Sequence, residues 1–284
     1  MMDKYQREII NLRISLTQRC NLQCPYCHKE GESQADREMT FDEIEERIIA
    51  ARDAGMKKVK ITGGEPLMRQ DIVEIVEMMK NNGLDEISMT TNGILLEGYA
   101  RQLKQAGLDR LNIGCDSLSS LSFLKNASQI KNGLDSAKKA GFSHIKLNMV
   151  VLKGLNDHEI DNMINFARDN NCILQLIELI NLNNEFYRDY YLSLEDIENK
   201  LKLRSSKVSD REMQNRKQYE IDGTIVEVVR PPSRHFCSKC NKLRITSDGM
   251  IKPCLMNKKS YDFNPERPFY NAMKERVMFY GKDD

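Results

Sequence analysis

The sequence has almost no net charge, 43 Lys and Arg standing against 42 Asp and Glu. That balance gives no support for non-specific binding to nucleic acid or to an anionic membrane surface. It does leave room for basic residues gathered inside a pocket. No apolar run approaches the roughly 20 residues that a bilayer span needs. The segment 1–15, MMDKYQREIINLRIS, has neither an apolar signal core nor a small-residue cleavage site, so a cytoplasmic location is expected. Internal repeats and low-complexity tracts are also missing.

What is present reads as an α/β protein. Short β-like runs at Asn11–Leu16, Lys58–Thr62, Glu86–Thr90, Arg110–Gly114, His144–Val151 and Ile173–Leu179 alternate with helical patterns. Those patterns cover Phe41–Ala54, Asp71–Asn81, Glu97–Ala106, Ile130–Ala140 and Asp157–Asn170. Thr40 with Glu43, and Asn156 with Glu159, have capping-box spacing. Gly55, Gly83, Gly107 and Gly141 each follow a helical pattern, where a left-handed turn favours glycine. Six β/α units in series predict a parallel sheet curled into a full or partial barrel.

Parallel strands covered on both faces usually read as continuous apolar runs. These alternate instead: Arg13 and Ser15 among Leu12, Ile14 and Leu16, Lys60 and Thr62 opposite Val59 and Ile61, Lys146 and Asn148 among Ile145, Leu147 and Met149. Ser88, Thr90 and Asn112 continue the pattern. With helices over the apolar face, the polar set points into a lumen suited to a polar ligand. An antiparallel sheet with one solvated face would alternate in the same way, but the intervening helices argue against it. After residue 180 the alternation fades. Asn181–Tyr191 reads as a linker, Leu194–Leu203 as a short helix, and Thr224–Val229 and Leu243–Thr246 as strands, with Pro231 and Pro232 as breakers. A partial barrel over 1–180 and a smaller α+β domain over 181–284 are expected.

Six of the eight cysteines form two tight groups, better read as metal ligands than as disulfides in a reducing compartment. Cys20, Cys24 and Cys27 have the spacing C-x3-C-x2-C directly after the first strand. Three thiolates can hold three corners of a 4Fe–4S cubane and leave the fourth iron open. Zinc would want a fourth ligand, for which His28 is the nearby candidate, but the spacing is no ordinary zinc pattern. Cys237, Cys240 and Cys254 repeat the theme as C-x2-C-x13-C, with zinc completed by His235 as the alternative. In ITGGEPL (61–67) the glycines let the backbone approach a ligand, and Glu65 could accept from an ammonium group. Cys115 and Cys172, with no partner at metal spacing, read as buried packing.

The motif C-x3-C-x-aromatic-C, with Tyr26 as the aromatic, resembles the radical S-adenosylmethionine superfamily, and Gly64 and Glu65 resemble its GGE element. That resemblance implies an incomplete (β/α)6 barrel, a catalytic 4Fe–4S cluster on Cys20, Cys24 and Cys27, and S-adenosylmethionine as cofactor. It also implies adenine contact near Tyr26 and methionyl contact near Gly64. The order of LRISLTQRCNLQCPYC, KITGGEPLMR, TTNGILL, GLDRLNI, KLNMVVLKGLND and the final FCSKCNKLRITSDG…PCL more narrowly resembles the GTP 3′,8-cyclase family of molybdenum cofactor synthesis. Members cleave the cofactor to a 5′-deoxyadenosyl radical, abstract the 3′ hydrogen of GTP and join ribose to guanine C8. The resemblance implies a second 4Fe–4S cluster on Cys237, Cys240 and Cys254. It implies cofactor contacts at Gly114 and Ile180, and GTP contacts at Arg13, Lys60, Thr90, Lys146, Lys242 and Arg244. It also implies an external electron donor and a homodimer.

Several positions depart from that pattern: Lys60 and Gln175 stand for arginines, Gly114 for a serine, Ile180 for a methionine, and the chain ends without a Gly-Gly tail. Arg69 is a candidate to take over the role of that tail. The competing readings are a radical maturase acting on a peptide and a non-catalytic zinc-binding adaptor.

Overall fold

Alternation within the strands decides the architecture. In the computed structural model, which describes residues 1–119, 124–182, 184–211, 216–231 and 234–278, six parallel strands follow one another in sheet order. They are β1 (Asn11–Ser15), β2 (Lys58–Thr62), β3 (Glu86–Thr91), β4 (Arg110–Gly114), β5 (Ile145–Val151) and β6 (Ile173–Glu178). Between them run α1 (Phe41–Asp53), α2 (Ile72–Asn81), α3 (Leu96–Gln105), α4 (Ala127–Lys139) and α5 (Ile160–Asp169). Leu12, Ile14, Val59, Ile61, Ile87, Met89, Leu111, Ile113 and Leu147 are buried in one hydrophobic cluster with the helices. Arg13, Lys60, Ser88, Asn112, Lys146 and Asn148, on the opposite face, line an interior cavity. The polar lumen read from the alternation is therefore present.

Local signals account for most boundaries. Thr40 and Glu43 form the expected capping box, each side chain accepting the other's backbone N–H. Gly55, Gly83, Gly107 and Gly141 sit at φ of 89°, 80°, 100° and 89°, where a side chain would be strained. The second expected box fails. Asn156 instead accepts from the Leu152 N–H at 2.7 Å and donates to the carbonyls of Asp116 and Val150 at 2.7 and 2.9 Å. Glu159 accepts from the Leu118 N–H at 2.8 Å. A tight turn at Asp157–Glu159 leads into α5, and the true second box caps α4 through Asn126 and Gln129.

The chain beyond residue 180 is less of an appendage than its sequence suggests. It forms α6 (Glu185–Tyr190), α7 (Glu195–Arg204), β7 (Lys207–Arg211), β8 (Arg216–Ile221), β9 (Thr224–Val229), α8 (Arg234–Ser238), β10 (Lys242–Ile245), β11 (Ile251–Lys252) and α9 (Tyr270–Lys274). The strand order β11-β10-β1-β2-β3-β4-β5-β6-β9-β8-β7 makes one open sheet, extended at both edges by these later strands. β9 runs parallel to β6, and β10 runs parallel to β1. α6 falls within the segment read as a linker. Among the described residues no helix is long and apolar enough to cross a membrane.

Candidate active site

The loop after β1 brings Cys20, Cys24 and Cys27 to the rim of the lumen, where all three line the same cavity. Leu22 N–H donates to Cys20 Sγ and Lys29 N–H to Cys27 Sγ, each at 3.4 Å. Such donors stabilise sulfur that carries negative charge. His28, the candidate fourth ligand, accepts the Glu30 N–H on Nδ1 at 3.1 Å, and burial pushes its ring down to about 4. Among the described residues no three His, Cys, Asp or Glu side chains could hold one metal ion. The three thiols share one cavity, and thiolates alone suit an iron–sulfur cluster.

The GGE turn is fixed by its own hydrogen bonds. Gly64 N–H donates to Thr17 O at 2.7 Å and Glu65 N–H to Arg19 O at 2.8 Å. A Cβ on Gly64 would lie 2.2 Å from Arg19 O, so glycine here lets the turn press against the cysteine loop. Gly64 still lines the cavity. Glu65 is fully buried, and its carboxylate accepts from Leu67 N–H (3.1 Å), Asn92 N–H (2.7 Å) and the Thr91 hydroxyl (2.7 Å). With those donors in place it braces the turn against β3. Arg69 is likewise buried, against the Leu16 and Met39 carbonyls, and paired with Asp71 at 2.7 Å.

A second network lies beside Cys24. Tyr26 donates its hydroxyl to Asp116 and receives Lys125. Lys125 Nζ also sits 2.8 Å from Asp116 Oδ2, 3.9 Å from Cys24 Sγ and 4.6 Å from the Tyr26 ring centroid. Asp116 uses its other oxygen to accept the Val150 N–H at 2.9 Å. A Cβ at Gly114 would meet Lys125 Cε at 2.4 Å, so glycine at this position makes room for the lysine stem. Phe186, Tyr187 and Tyr190 of α6, with Tyr191 just beyond it, pack over Tyr26, Leu152 and Leu179. Ile180 lines the cavity nearby.

Deeper in the lumen the balance of charge changes. Lys29 and Glu30 both adopt positive φ (45° and 52°), a strained arrangement that turns the Glu30 side chain inward. Glu30 bridges Arg13 at 2.7 Å and Arg244 at 2.6 Å and accepts from the Thr62 hydroxyl at 2.9 Å. Burial alone would raise its pKa, but the two guanidiniums hold it well below the usual carboxylate range. Across the lumen, Glu227 receives Lys146 at 2.5 Å, Arg211 at 3.1 Å, and Gln218 and Gln175 at 2.7 Å. Arg216 stands off at 3.7 Å. Three cations against one carboxylate explain why both partners move down. Glu227 falls to about 2 because the cations outweigh its burial. Lys146 falls to about 8 because burial and its fellow cations outweigh its share of Glu227. Lys60 is pressed well below the lysine range by burial and by Arg13, Arg216, Lys146 and Arg211. Lys242 moves the same way through burial and Arg216, offset in part by Cys240. Thr90 lines the same cavity.

Cys237 and Cys240 precede the β10–β11 hairpin and Cys254 follows it, and all three line the far part of this cavity. Arg276 fastens the group by donating to the carbonyls of Cys240 (3.0 Å), Lys242 (2.5 Å) and Pro253 (2.9 Å), with Asp3 as its countercharge at 3.0 Å. Arg7 adds a bond to the Cys237 carbonyl at 2.9 Å. The His235 side chain and residues 279–284, where zinc completion and the tail were considered, lie outside the described residues. Cys115 and Cys172 are buried and in neither group, as expected.

The sequence reading missed Glu30, Asp116, Lys125, Arg211, Arg216 and Glu227. Glu227 did leave a signal, being a lone carboxylate at lumen parity within TIVEVV. The others depend on contacts between distant segments.

Two family models match: the radical SAM superfamily over residues 14–167 and the molybdenum cofactor synthesis C-terminal domain over 172–267. A probable GTP 3′,8-cyclase of Methanothermobacter thermautotrophicus is 41% identical over 90% of this chain and 87% of its own length. The corresponding proteins of Methanocaldococcus jannaschii (90% and 88%) and Pyrococcus horikoshii (91% and 87%) are each 43% identical. Among solved structures, Streptococcus suis SuiB bound to precursor peptide SuiA aligns with a TM-score of 0.73 at 14% identity, over 96% of this chain and 66% of that one. Likeness at that identity speaks for the fold alone, whereas the curated relatives match along both parts of the chain. The chain therefore belongs to the radical SAM superfamily, whose members use S-adenosylmethionine and an iron–sulfur cluster, and within it to the GTP 3′,8-cyclase family.

Proposed function

We infer that this chain cleaves S-adenosylmethionine and cyclises GTP to 3′,8-cyclo-7,8-dihydro-GTP, in the synthesis of molybdenum cofactor. The observation that carries the substrate is the excess of cations lining the lumen. Among the described residues, Arg13 and Arg244 share Glu30, and Lys146, Arg211 and Arg216 share Glu227, with Lys60 lining the same cavity. The other lining carboxylates, Glu86, Asp116 and Glu178, already have their own cations in Arg110, Lys125 and Arg230. A triphosphate supplies the missing negative charge, and a neutral peptide does not.

When bound at Cys20, Cys24 and Cys27, a reduced 4Fe–4S cluster and its cofactor supply a carbon radical that removes the 3′ hydrogen atom of the substrate. The protein's own part is placement. The three cysteines leave one iron corner for the cofactor, while Tyr26, Gly64, Gly114 and Ile180 wall its pocket and α6 excludes water. Arg13, Lys60, Thr90, Lys146, Lys242 and Arg244 hold GTP so that C3′ and C8 meet. Cys237, Cys240 and Cys254 would hold a second 4Fe–4S cluster, which would supply a Lewis-acid seat for the guanine. One electron from an external donor and one proton complete the dihydro product. The same reading divides the chain at 1–180 and 181–284, makes it a homodimer and sets it in the cytoplasm.

Anaerobic turnover with GTP deuterated at C3′ tests the reading. Deuterium is expected in 5′-deoxyadenosine; cofactor cleavage without label transfer would assign a different substrate.

A further inference from the structure

The β7–β8 hairpin lies at one edge of the sheet, with β10 and the second cysteine group near the other. Arg211 and Arg216 are direct cross-strand partners on it. Like charges in that relation repel. Both line the cavity, Arg211 is half-buried, and Arg216 is only 8% exposed.

Glu227 serves them unevenly. Lys146, Gln218 and Arg211 all donate to its Oε1, and Gln175 donates to Oε2, the oxygen nearer Arg216. Arg216 reaches it only at 3.7 Å, beyond hydrogen-bonding distance, and Arg216 Nε is buried without a hydrogen-bond partner among the described residues. A buried guanidinium with an unengaged N–H is costly unless an anion completes it. Planar, two-pronged recognition of phosphate is what a guanidinium fork provides.

We propose that Arg216, supported by Arg211, is the clamp for the terminal phosphate of the bound nucleoside triphosphate and makes the site prefer triphosphates. The proposal rests on the GTP reading above. With the base at the β10–β11 edge, the far end of the nucleotide crosses the lumen toward the hairpin. Lys60 and Lys242 face the polyphosphate from the other side. Lys146 and Arg211 stay anchored on Glu227, and Arg216 swings the short distance onto the phosphate.

Anaerobic equilibrium dialysis of the reconstituted holoenzyme with GTP, GDP and GMP tests this. Wild type is expected to bind GTP roughly tenfold or more tighter than GDP. Arg216→Gln should lose most of that preference and leave GMP binding unchanged, and R211Q/R216Q should abolish the preference. Removing an ill-paired cation should not lower the melting temperature, which is measured in parallel, and Arg216→Lys should keep part of the preference. Equal losses for GTP and GMP, or unchanged GTP affinity in Arg216→Gln, would overturn the clamp while leaving the GTP reading intact. Failure of wild type to bind GTP would overturn both.

Discussion

The two ends of the lumen are built on opposite electrostatic plans. At the rim, beside Cys24, every charge has its counterpart inside the protein: Lys125 has Asp116 and Tyr26, and Glu65 has three donors. Deeper in, two carboxylates are shared among many cations, and Arg13 and Arg216 each keep a buried Nε without a partner among the described residues. The rim is finished before any ligand arrives, as a site that positions a reactive group must be. The interior is left incomplete, and a polyanion completes it. One region stores its order in the fold, and the other obtains order from what it binds.

Substitutions should therefore act in opposite directions at the two ends. The largest effect is expected from Asp116→Asn, which leaves Lys125 buried without its countercharge and should cost about 3–5 kcal/mol in urea unfolding. Added GTP should recover little of that loss, and full recovery would mean that the rim depends on ligand after all. Gly114→Ala comes next. Its Cβ would crowd Lys125 Cε at 2.4 Å, and displacing that stem should cost about 1–3 kcal/mol. Lys60→Met reverses the sign: removing a surplus buried cation should stabilise the ligand-free protein by about 1 kcal/mol while weakening GTP binding. A destabilised Lys60→Met would show that the interior is as well paired as the rim.

How far the sequence reveals this contrast depends on the range of the contacts. The six β/α units, the lumen face and the cysteine groups were legible because strand alternation, glycine C-caps and thiol spacing are local patterns. The Asn156–Glu159 box misled because a cap motif is also a set of ordinary hydrogen-bonding groups, and tertiary partners at Asp116, Val150 and Leu118 claimed them. The β7–β8 hairpin was invisible: Lys207–Arg211 reads KVSDR, with no apolar face to betray a strand. The bonds of Tyr26 to Asp116 and Lys125, and of Lys146 to Glu227, join distant segments. The same is true of both new sheet edges, which no periodicity in one segment reports.

The smallest effect should be the sharpest test of the incomplete interior. In the ligand-free protein Lys146 titrates near 8, below the ordinary 10.5 of a lysine. Between those values the unfolded chain holds a proton that the folded chain has released, so stability should rise with pH across that window. Glu227 acts at the other extreme. Its pKa of about 2 gives stability that is present above about 4.5 and lost as pH falls toward 2. A triphosphate placed beside Lys146 favours its charged form and draws its pKa back up. Binding of GTP near pH 8 should then take up protons, at Lys146 and at Lys60 and Lys242, which are lowered in the same way. Calorimetric titration in two buffers of different ionisation enthalpy reads this directly. If the binding enthalpy at pH 8 is the same in both buffers, Lys146 is not short of negative charge, and the contrast between the two ends loses its electrostatic basis.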